Sequence, residues 1–371
     1  MERQQVVGSF SYYDSPETPA LDDLTIIEGT SPDNRTYLVH VTDLRSLSAP
    51  LSSYTHEKHG FQIIHQPLTI SPSPALVHDK KYMTHNYYPA MTELLKKKLG
   101  VRCAVVRKHS IRDIASWSTI GMNPEVGFSI ESLAPFNIAH ADHTPAGARA
   151  HFRSIKESDW FTENDTVEAV SQADRDEFLR LRRDIIEAED RAIKESGIGP
   201  EIQREQGLPP TGGHWTWNGA NYKGPRYAFF SVWRPFETVR RDPLAVMDIS
   251  LPVSKEIDFA PLTRTYRKRP GCVPFYYSQN AMLRPLDARK KGHGVQDGDQ
   301  NATGEHAWCY LSHQSPEEVY LIKFYDSDAL VRKGQGQDEI ALLCPHSAFY
   351  MPETEKIAAR RSCELRVWCI W

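Results

Sequence analysis

The chain has 371 residues, of which 40% are hydrophobic, 25% charged and 10% aromatic, and these proportions are ordinary for a globular protein. They exclude a collagen, a long coiled coil and a wholly disordered chain. The 44 Lys and Arg residues against 48 Asp and Glu residues leave no basic excess for a phosphate backbone, so we expect no nucleic-acid partner.

The sequence shows neither a membrane span nor a secretory signal. No apolar run approaches the roughly 20 residues that cross a bilayer, and the N-terminal stretch lacks the apolar core of a signal peptide. We therefore expect a cytoplasmic chain without a membrane span. The six cysteines form no Cys-x-x-Cys pair, which argues against a zinc ribbon, so we expect reduced and mostly buried thiols.

The first part of the chain predicts strands and one helix. Residues 35–41 predict a strand, because β-branched and aromatic residues dominate there, and the 61–74 region predicts a strand followed by a turn. A helix is predicted from Asn86, as its cap, to Leu99, with Gly100 as its stop. Residues 101–107 then predict another strand.

The second part predicts one long helix and then many short strands. Ser171 can cap a helix over 172–196, whose apolar residues recur at helical spacing. From residue 227 onward, turn residues separate predicted strands at 227–233, 245–249, 307–312, 318–325, 340–344 and 362–370. Lys290–Glu305 is a polar, glycine-containing segment and predicts a surface loop or a lid. The pattern predicts a mainly β fold with added helices, built on a jelly-roll core.

The sharpest local motif is His140-Ala141-Asp142. An imidazole and a carboxylate separated by one residue project to the same side of an extended chain. Both can then reach one metal ion, with the small Ala141 between them. With a distant second histidine, they form the ligand set of a two-histidine, one-carboxylate facial triad, which leaves coordination positions open.

A second motif lies near the C-terminus, where His346 ends an apolar segment and Arg360 follows on the next predicted strand. The histidine can complete the triad, and the arginine can bind the distal carboxylate of a keto-acid co-substrate through two parallel hydrogen bonds. Ser362 lies two residues further on and therefore shares a face with Arg360, where it can donate another hydrogen bond.

Other histidines compete with these ligands. His143 directly follows Asp142 and points away from the face that Asp142 shares with His140, so we interpret it as an outer residue. His306 and His313 could each supply the distant ligand. His346 is preferred because an arginine follows it at a workable distance.

The chain resembles the iron(II)- and 2-oxoglutarate-dependent oxygenases of the aspergillic-acid hydroxylase/desaturase type, a group related to gibberellin desaturase and cephalosporin 7α-hydroxylase-like proteins. The resemblance runs from about Val39 to Val367 and rests on the order and spacing of short segments. These are Val41–Arg45, His59–Phe61, His140–Gly147, Trp233–Pro235, Asp242–Val246, Trp308–Tyr310, Tyr325–Ser327, Pro345–Phe349 and Arg361–Arg366.

This resemblance implies a double-stranded β-helix core, iron(II) on His140, Asp142 and His346, and 2-oxoglutarate and O2 as co-substrates. It places an arginine of the 360–366 segment on 2-oxoglutarate without deciding which one. Alternation on a strand lets Arg360 and Arg366 share a side, whereas Arg361 faces the other way. We favour Arg360 with Ser362 and keep Arg366 as a second inward cation.

The implied activity is the hydroxylation, desaturation or other oxidative tailoring of a small natural product in secondary metabolism. Arg234, Trp215 and Trp217 are candidates for the substrate pocket. The alternatives are a zinc hydrolase that uses the same ligands and a non-catalytic small-molecule-binding jelly roll. The oligomeric state stays open.

Asp142 and His346 lie far apart in the sequence but must meet at one metal ion. The chain between them therefore folds most simply around that metal. We accordingly expect a single domain over residues 1–371, with a helical insert near 155–205 and an N-terminal region that helps to wall the pocket.

Overall fold

A computed structural model of the chain describes residues 4–20, 23–28, 30–67, 76–113, 133–154, 171–202, 210–266, 276–286, 306–337 and 339–371. Among these residues, no helix has the length and apolar character that a membrane crossing needs. Five cysteines are described, and all five are free and buried, as predicted. The predicted Lys290–Glu305 loop and Cys272 lie outside the described residues.

Short strands supply most of the regular structure. In chain order they are β1 (Gln5–Tyr13), β2 (Asn34–Asp43), β3 (Phe61–His65), β4 (Cys103–Arg112), β5 (His140–Ala141), β6 (Tyr227–Pro235), β7 (Leu244–Met247), β8 (Phe259–Tyr266), β9 (Tyr276–Leu283), β10 (Trp308–Tyr310), β11 (Glu318–Asp326), β12 (His346–Ala348) and β13 (Ser362–Ile370).

Helices occur mainly before β6. They are α1 (Leu24–Glu28), α2 (Lys80–Tyr82), α3 (Tyr88–Leu99), α4 (Pro145–Ser154), α5 (Gln172–Glu195), α6 (Gly213–Thr216) and α7 (Ser327–Gly334), with a π-helical turn at Met83–Tyr87 and 3-10 turns at Leu44–Ser46, Leu51–Ser53, Pro252–Glu256 and Pro352–Thr354.

The strands form two sheets. The larger sheet has eight strands in the order β1-β2-β10-β7-β12-β5-β9-β8, and the smaller has five in the order β3-β11-β6-β13-β4. Neighbours pair antiparallel except β2 and β10, which are parallel. Apart from β1–β2 and β8–β9, every neighbouring pair joins strands that are not consecutive in the chain, as the predicted jelly roll requires.

Alternation along β13 shows how the smaller sheet separates two apolar regions. Trp368 and Ile370 pack on one face, in the core that the larger sheet also lines. Leu365 and Val367 pack on the other face, against α3. Since side chains alternate across a strand, Ser362, Glu364 and Arg366 share the face of Trp368 and point toward the larger sheet.

Most of the predicted elements are confirmed, with small shifts of their ends. The long helix α5 begins after Ser171, whose hydroxyl oxygen accepts a hydrogen bond from Asp174 N at 3.1 Å. Helix α3 ends at Gly100 in the left-handed conformation, with φ of 67°. Asn86 does not cap α3, because the chain is already helical through the preceding π turn.

The prediction of a strand at 340–344 is wrong, because the strand in this region, β12, begins only at His346. The backbone of residues 340–344 instead forms hydrogen bonds with other segments. Ala341 N donates to Glu57 O, and Cys344 N donates to Lys323 O at 2.7 Å. Apolar composition alone did not distinguish a buried connection from a strand.

Helix α4 follows the His140-Asp142 segment directly and packs closely on β9. A Cβ atom at Gly147 would lie 2.8 Å from Gln279 N and still nearer to Gln279 O. Thr144 N donates to Gln279 O at 2.9 Å, and the Asn280 side chain donates to Asp142 O at 2.5 Å. These contacts fix the backbone that carries Asp142.

Gly147→Ala tests this close packing. Alanine is the better helix former, by up to about 1 kcal/mol, but the clash with the β9 backbone should lower the free energy of unfolding by about 1–3 kcal/mol. Urea denaturation at pH 7.5 measures the change. Gly199→Ala, where an added Cβ has nothing within 4 Å, is the control and should change the unfolding free energy by less than about 0.5 kcal/mol. Equal midpoints for the two variants would contradict the prediction.

Candidate active site

Two neighbouring strands of the larger sheet bring the two predicted histidine ligands together. His140 begins β5, and His346 begins β12, directly opposite it in the antiparallel register. Residues that face each other across such a pair project to the same side. The two imidazole rings accordingly lie 4.5 Å apart, centroid to centroid, and both are buried.

Backbone carbonyl groups orient both rings. Nδ1 of His140 is 2.8 Å from Ile138 O, and Nδ1 of His346 is 3.1 Å from Cys344 O. A carbonyl oxygen only accepts hydrogen bonds, so each Nδ1 carries a proton. Nε2 of each ring faces Asp142, whose Oδ1 is 3.2 Å from Nε2 of His140 and 3.9 Å from Nε2 of His346.

The electrostatics favour an ionised Asp142 carboxylate. Burial works against the charge of Asp142, but the Arg366 guanidinium and the two histidines outweigh it and hold the pKa of Asp142 well below its usual range. Burial, reinforced by His140, lowers the pKa of His346 to about 4. Near pH 7, no proton therefore occupies His346 Nε2 or the Asp142 carboxylate.

These observations meet the requirements of a divalent metal site. One ligand atom from each of His140, Asp142 and His346 lies within 4.8 Å of the others, and all three residues are buried. Neutral imidazole and ionised carboxylate are the protonation states that a metal needs. A carbonyl bound to the far nitrogen of each ring is the usual support of a metal-ligating histidine. The predicted triad is assembled.

Aromatic side chains hold the two rings in place. Phe324 stacks on His346 with centroids 5.4 Å apart, and Phe136 meets His140 edge-on at 4.6 Å. Aromatic packing of this kind restricts ring rotation without consuming a ring nitrogen. Neither phenylalanine was singled out from the sequence.

A cavity opens beside the triad, between the two sheets. Its lining combines apolar side chains with charged ones: Arg112, Phe136, His140, Asp142, Ser231, Trp233, Leu244, Ile322, His346, Ala348, Arg360 and Glu364. Arg360, which the sequence predicted to bind an anion, lines this cavity, and Ser362 begins β13 two residues later. Arg360 is 4% exposed, and its guanidinium lies 5.1 Å from the Trp233 ring centroid.

Arg360 and Ser362 keep unused donors. Arg360 donates through one Nη to Asp242 O, while its Nε and the Ser362 hydroxyl have no hydrogen-bond partner among the described residues. Burial, together with repulsion from Arg112, lowers the pKa of Arg360 to about 9, so the group stays charged at neutral pH. A buried cation with free donors can bind an anion.

The other two predicted arginines lie in different surroundings. Arg366 points inward and forms an ion pair with the second carboxylate oxygen of Asp142, Oδ2, at 2.7 Å. Arg361 faces out of the sheet and pairs through two contacts with Glu237, at 3.0 and 2.9 Å. The alternation predicted for these residues is therefore present, and Arg361 lies away from the triad.

The three candidate substrate residues do not line the cavity. Arg234 alternates with Trp233 and points to the opposite face of β6, where it is fully buried near the Tyr87 ring and donates to Pro316 O at 3.0 Å. Trp217 is a core residue near α6 and donates to Asn221 at 2.8 Å. Trp215, within α6, is half-buried.

The competing histidines also lie away from the triad. His143 points to the other side, as predicted, but it is buried rather than exposed, and its ring stacks on His151 with centroids 5.4 Å apart. His306 is buried beside Tyr12, behind the larger sheet. His313 is an exposed turn residue with φ of 49°.

Two charged residues of the cavity were missed in the sequence. Arg112 ends β4, and Glu364 lies between Ser362 and Arg366 on the inward face of β13. The predicted strand 101–107 stopped too early, because the following residues are mostly polar. The strict alternation of β13 could have indicated that Glu364 faces inward.

The chain is similar to several known proteins. A family model described as the oxidoreductase/YMDC permease-like domain matches residues 10–167 and 214–370. The gibberellin cluster GA4 desaturase of Gibberella fujikuroi is 26% identical, over 99% of this chain and 96% of its own. Oxidoreductase chry3 of Gibberella zeae is 27% identical, over 89% of each chain.

The solved structure of the iron and alpha-ketoglutarate-dependent endoperoxidase NvfI has a TM-score of 0.55, with 19% identity over 99% of this chain and 98% of its own. This likeness confirms the predicted jelly-roll fold, and the GA4 desaturase agrees with the resemblance inferred from the sequence. Since the family model matches well over half of its residues, the chain belongs to the oxidoreductase/YMDC permease-like domain family.

Proposed function

We propose that the chain is an iron(II)- and 2-oxoglutarate-dependent oxygenase that hydroxylates, desaturates or otherwise oxidises a small natural product. The observation that carries this proposal is the buried triad of His140, Asp142 and His346 in one cavity with Arg360. A zinc hydrolase needs the triad but has no use for a buried cation with free donors beside it. The curated relatives, named as a desaturase and an oxidoreductase, support oxidative chemistry.

Iron(II) would be held by Nε2 of His140, Nε2 of His346 and the Asp142 carboxylate. Three protein ligands leave coordination positions for co-substrates. When bound, iron and 2-oxoglutarate together use O2 to break an unactivated C–H bond, with succinate and CO2 as the co-products. The protein's own contributions are to hold the ligands in position, to bind both organic molecules and to exclude water from the cavity.

Arg360 and Ser362 are proposed to bind 2-oxoglutarate. The distal carboxylate of this co-substrate matches the guanidinium fork, and the Ser362 hydroxyl supplies one more donor on the same side. Arg360 is already held by Asp242 O and by the Trp233 ring, so little side-chain entropy is lost when the anion binds.

Arg366 is proposed as a positioning residue for Asp142 rather than as a receptor for 2-oxoglutarate. Its guanidinium engages Oδ2, whereas Oδ1 is the oxygen nearest to both imidazoles. Occupying Oδ2 restricts Asp142 to one metal contact and so preserves open positions for co-substrates.

The single-domain organisation over residues 1–371 also stays a proposal. One apolar core contains residues from Leu44 to Ile370, including six from α5, which supports it. The apolar lining of the cavity supports a small-molecule substrate. The cytoplasmic location remains a prediction from the sequence.

Replacing a ligand should abolish metal binding. We expect Asp142→Asn and His346→Ala each to weaken Co(II) or anaerobic Fe(II) binding by more than about 100-fold, because even the residues that support metal ligands contribute 10–100-fold. Calorimetry measures the affinity. The control is His313→Asn, which changes an exposed turn histidine to a residue that tolerates its positive φ. Tight metal binding by the Asp142→Asn chain would contradict the assignment.

Arg360→Gln should weaken 2-oxoglutarate binding while sparing the metal. Loss of a buried, charge-assisted contact costs about 2 kcal/mol or more, so KM for 2-oxoglutarate should rise about 30-fold. Succinate formation gives KM, and the weak visible band of the anaerobic iron(II)–2-oxoglutarate complex measures 2-oxoglutarate binding directly. Arg361→Gln removes a cation one residue away that pairs at the surface with Glu237, and it should behave like the parent chain. If both variants behave alike, Arg360 is not the receptor.

Arg366→Gln tests the positioning of Asp142. We expect Co(II) affinity to fall about 10- to 100-fold and the visible absorption of bound Co(II) to change, because Asp142 can then rotate and bind through both oxygens. Arg366→Lys keeps the charge and should restore part of the affinity. An unchanged Co(II) spectrum in Arg366→Gln would show that this ion pair is only structural.

A further inference from the structure

Arg112 is a second arginine beside the triad, partly buried, and it has no role in the proposed function. It is the last residue of β4 and lies opposite Ser362 in the antiparallel register with β13. Its side chain therefore shares the inward face of the smaller sheet with Ser362 and Glu364. It lines the same cavity as His140, Asp142 and His346.

Most N–H donors of the Arg112 guanidinium form no hydrogen bond with the described residues. One Nη donates to Ala134 O at 2.6 Å. Within the part of the chain that the structure describes, its guanidinium makes no other hydrogen bond and no ion pair. A guanidinium offers five N–H groups in a fixed fork, and burying it without an anion is costly. Arg112 is therefore arranged to receive an anionic group that the described side chains do not supply.

The charges around the cavity lead to the same conclusion. Among the described residues that line it, the guanidiniums of Arg112 and Arg360 accompany the carboxylates of Asp142 and Glu364. Arg366 and Lys108 add further positive charge near Asp142. The described side chains around the triad thus have an excess of positive charge, which an anionic ligand would offset.

The surroundings of Arg112 indicate where the rest of this ligand lies. Ala134, whose carbonyl binds Arg112, is two residues before Phe136, and Phe136 packs on the edge of the His140 ring. Arg360 is close enough to Arg112 for the two charges to repel, but it packs against Trp233 and donates to the Asp242 carbonyl. The two guanidiniums therefore have different neighbours, and Arg112 is the one that adjoins an apolar side chain beside a metal ligand.

We propose that Arg112 binds the carboxylate of the molecule that the enzyme oxidises. This molecule is an apolar small molecule with a single carboxylate, and its apolar body packs against Phe136. The assignment of this ligand as the substrate rests on the proposed function. The binding site itself rests on the position and free donors of Arg112.

Binding of a matched pair of probes tests the site. Adamantane-1-carboxylate and adamantane-1-carboxamide share a compact apolar body and differ in charge. Calorimetry with the full metal-free chain at pH 7.5, without 2-oxoglutarate, should show at least tenfold tighter binding of the carboxylate. Arg112→Gln should remove this preference, Arg112→Lys should retain part of it, and circular dichroism establishes that each variant is folded.

A control variant separates Arg112 from arginines outside the cavity. The surface variant Arg361→Gln removes a cation that pairs with Glu237 and should keep the preference for the carboxylate probe. A parent chain that binds the two probes equally, or binds neither, overturns the proposal. It is also overturned if the preference survives in Arg112→Gln, or if 2-oxoglutarate displaces the carboxylate probe, because Arg112 would then belong to the co-substrate site.

The failure of this proposal can be told apart from failure of the proposed function. The probe assay needs neither metal nor turnover, so it reports only on the carboxylate site. If the probe preference depends on Arg112 but iron(II) and 2-oxoglutarate yield no succinate, the site stands and the oxygenase assignment fails. If succinate forms but no carboxylate preference exists, the oxygenase assignment stands and the substrate class is wrong.

Discussion

The site depends on the pairing of two very short strands. His140 and His346 lie directly opposite each other where β5 meets β12, so one register brings together residues that are far apart in sequence. A shift of one residue in that register would turn one imidazole to the opposite side of the sheet. The strands have only two and three residues, so their own ladder gives little stability. The register is held by the pairing of β12 with β7 and of β5 with β9 on the outer sides.

Alternation on β13 then decides what each inward charge can do. Ser362, Glu364 and Arg366 point toward the metal ligands, and Arg361 points to the surface, where Glu237 neutralises it. The result is a buried region with a cationic excess close to an anionic metal ligand. Arg366 offsets the charge of Asp142 directly, which keeps that carboxylate ionised despite its burial.

Much of this arrangement could be predicted from the sequence, because it follows from local spacing. The His140-Ala141-Asp142 motif and the alternation of Arg361 depend only on the period of an extended strand. The same alternation separates Arg234 from its neighbour Trp233, so only one of the two can face the cavity, and the sequence offered both sides for Arg234, as a pocket candidate or as a structural residue. Alternation puts it on the far face, against Tyr87.

What could not be predicted depends on pairings between distant segments. Arg112 reaches the cavity because β4 lies beside β13, and nothing near Arg112 in the sequence reports that neighbour. The ion pair of Arg366 with Asp142 joins opposite sheets in the same way. Phe136 and Phe324 matter only because β5 and β12 place imidazole rings beside them. Such contacts require the register of the whole sheet.

The two sheets therefore have different chemical roles. The larger sheet supplies both histidine ligands, and the smaller sheet, with the segment just before β13, supplies Arg112, Arg360 and Arg366. Metal ligands must keep their mutual distances to within a few tenths of an ångström, whereas an anion receptor tolerates more movement. A change at the end of β4 can consequently alter which molecule binds without moving the metal ligands. This separation gives one fold a constant oxidising centre and an adjustable receptor for the molecule to be oxidised.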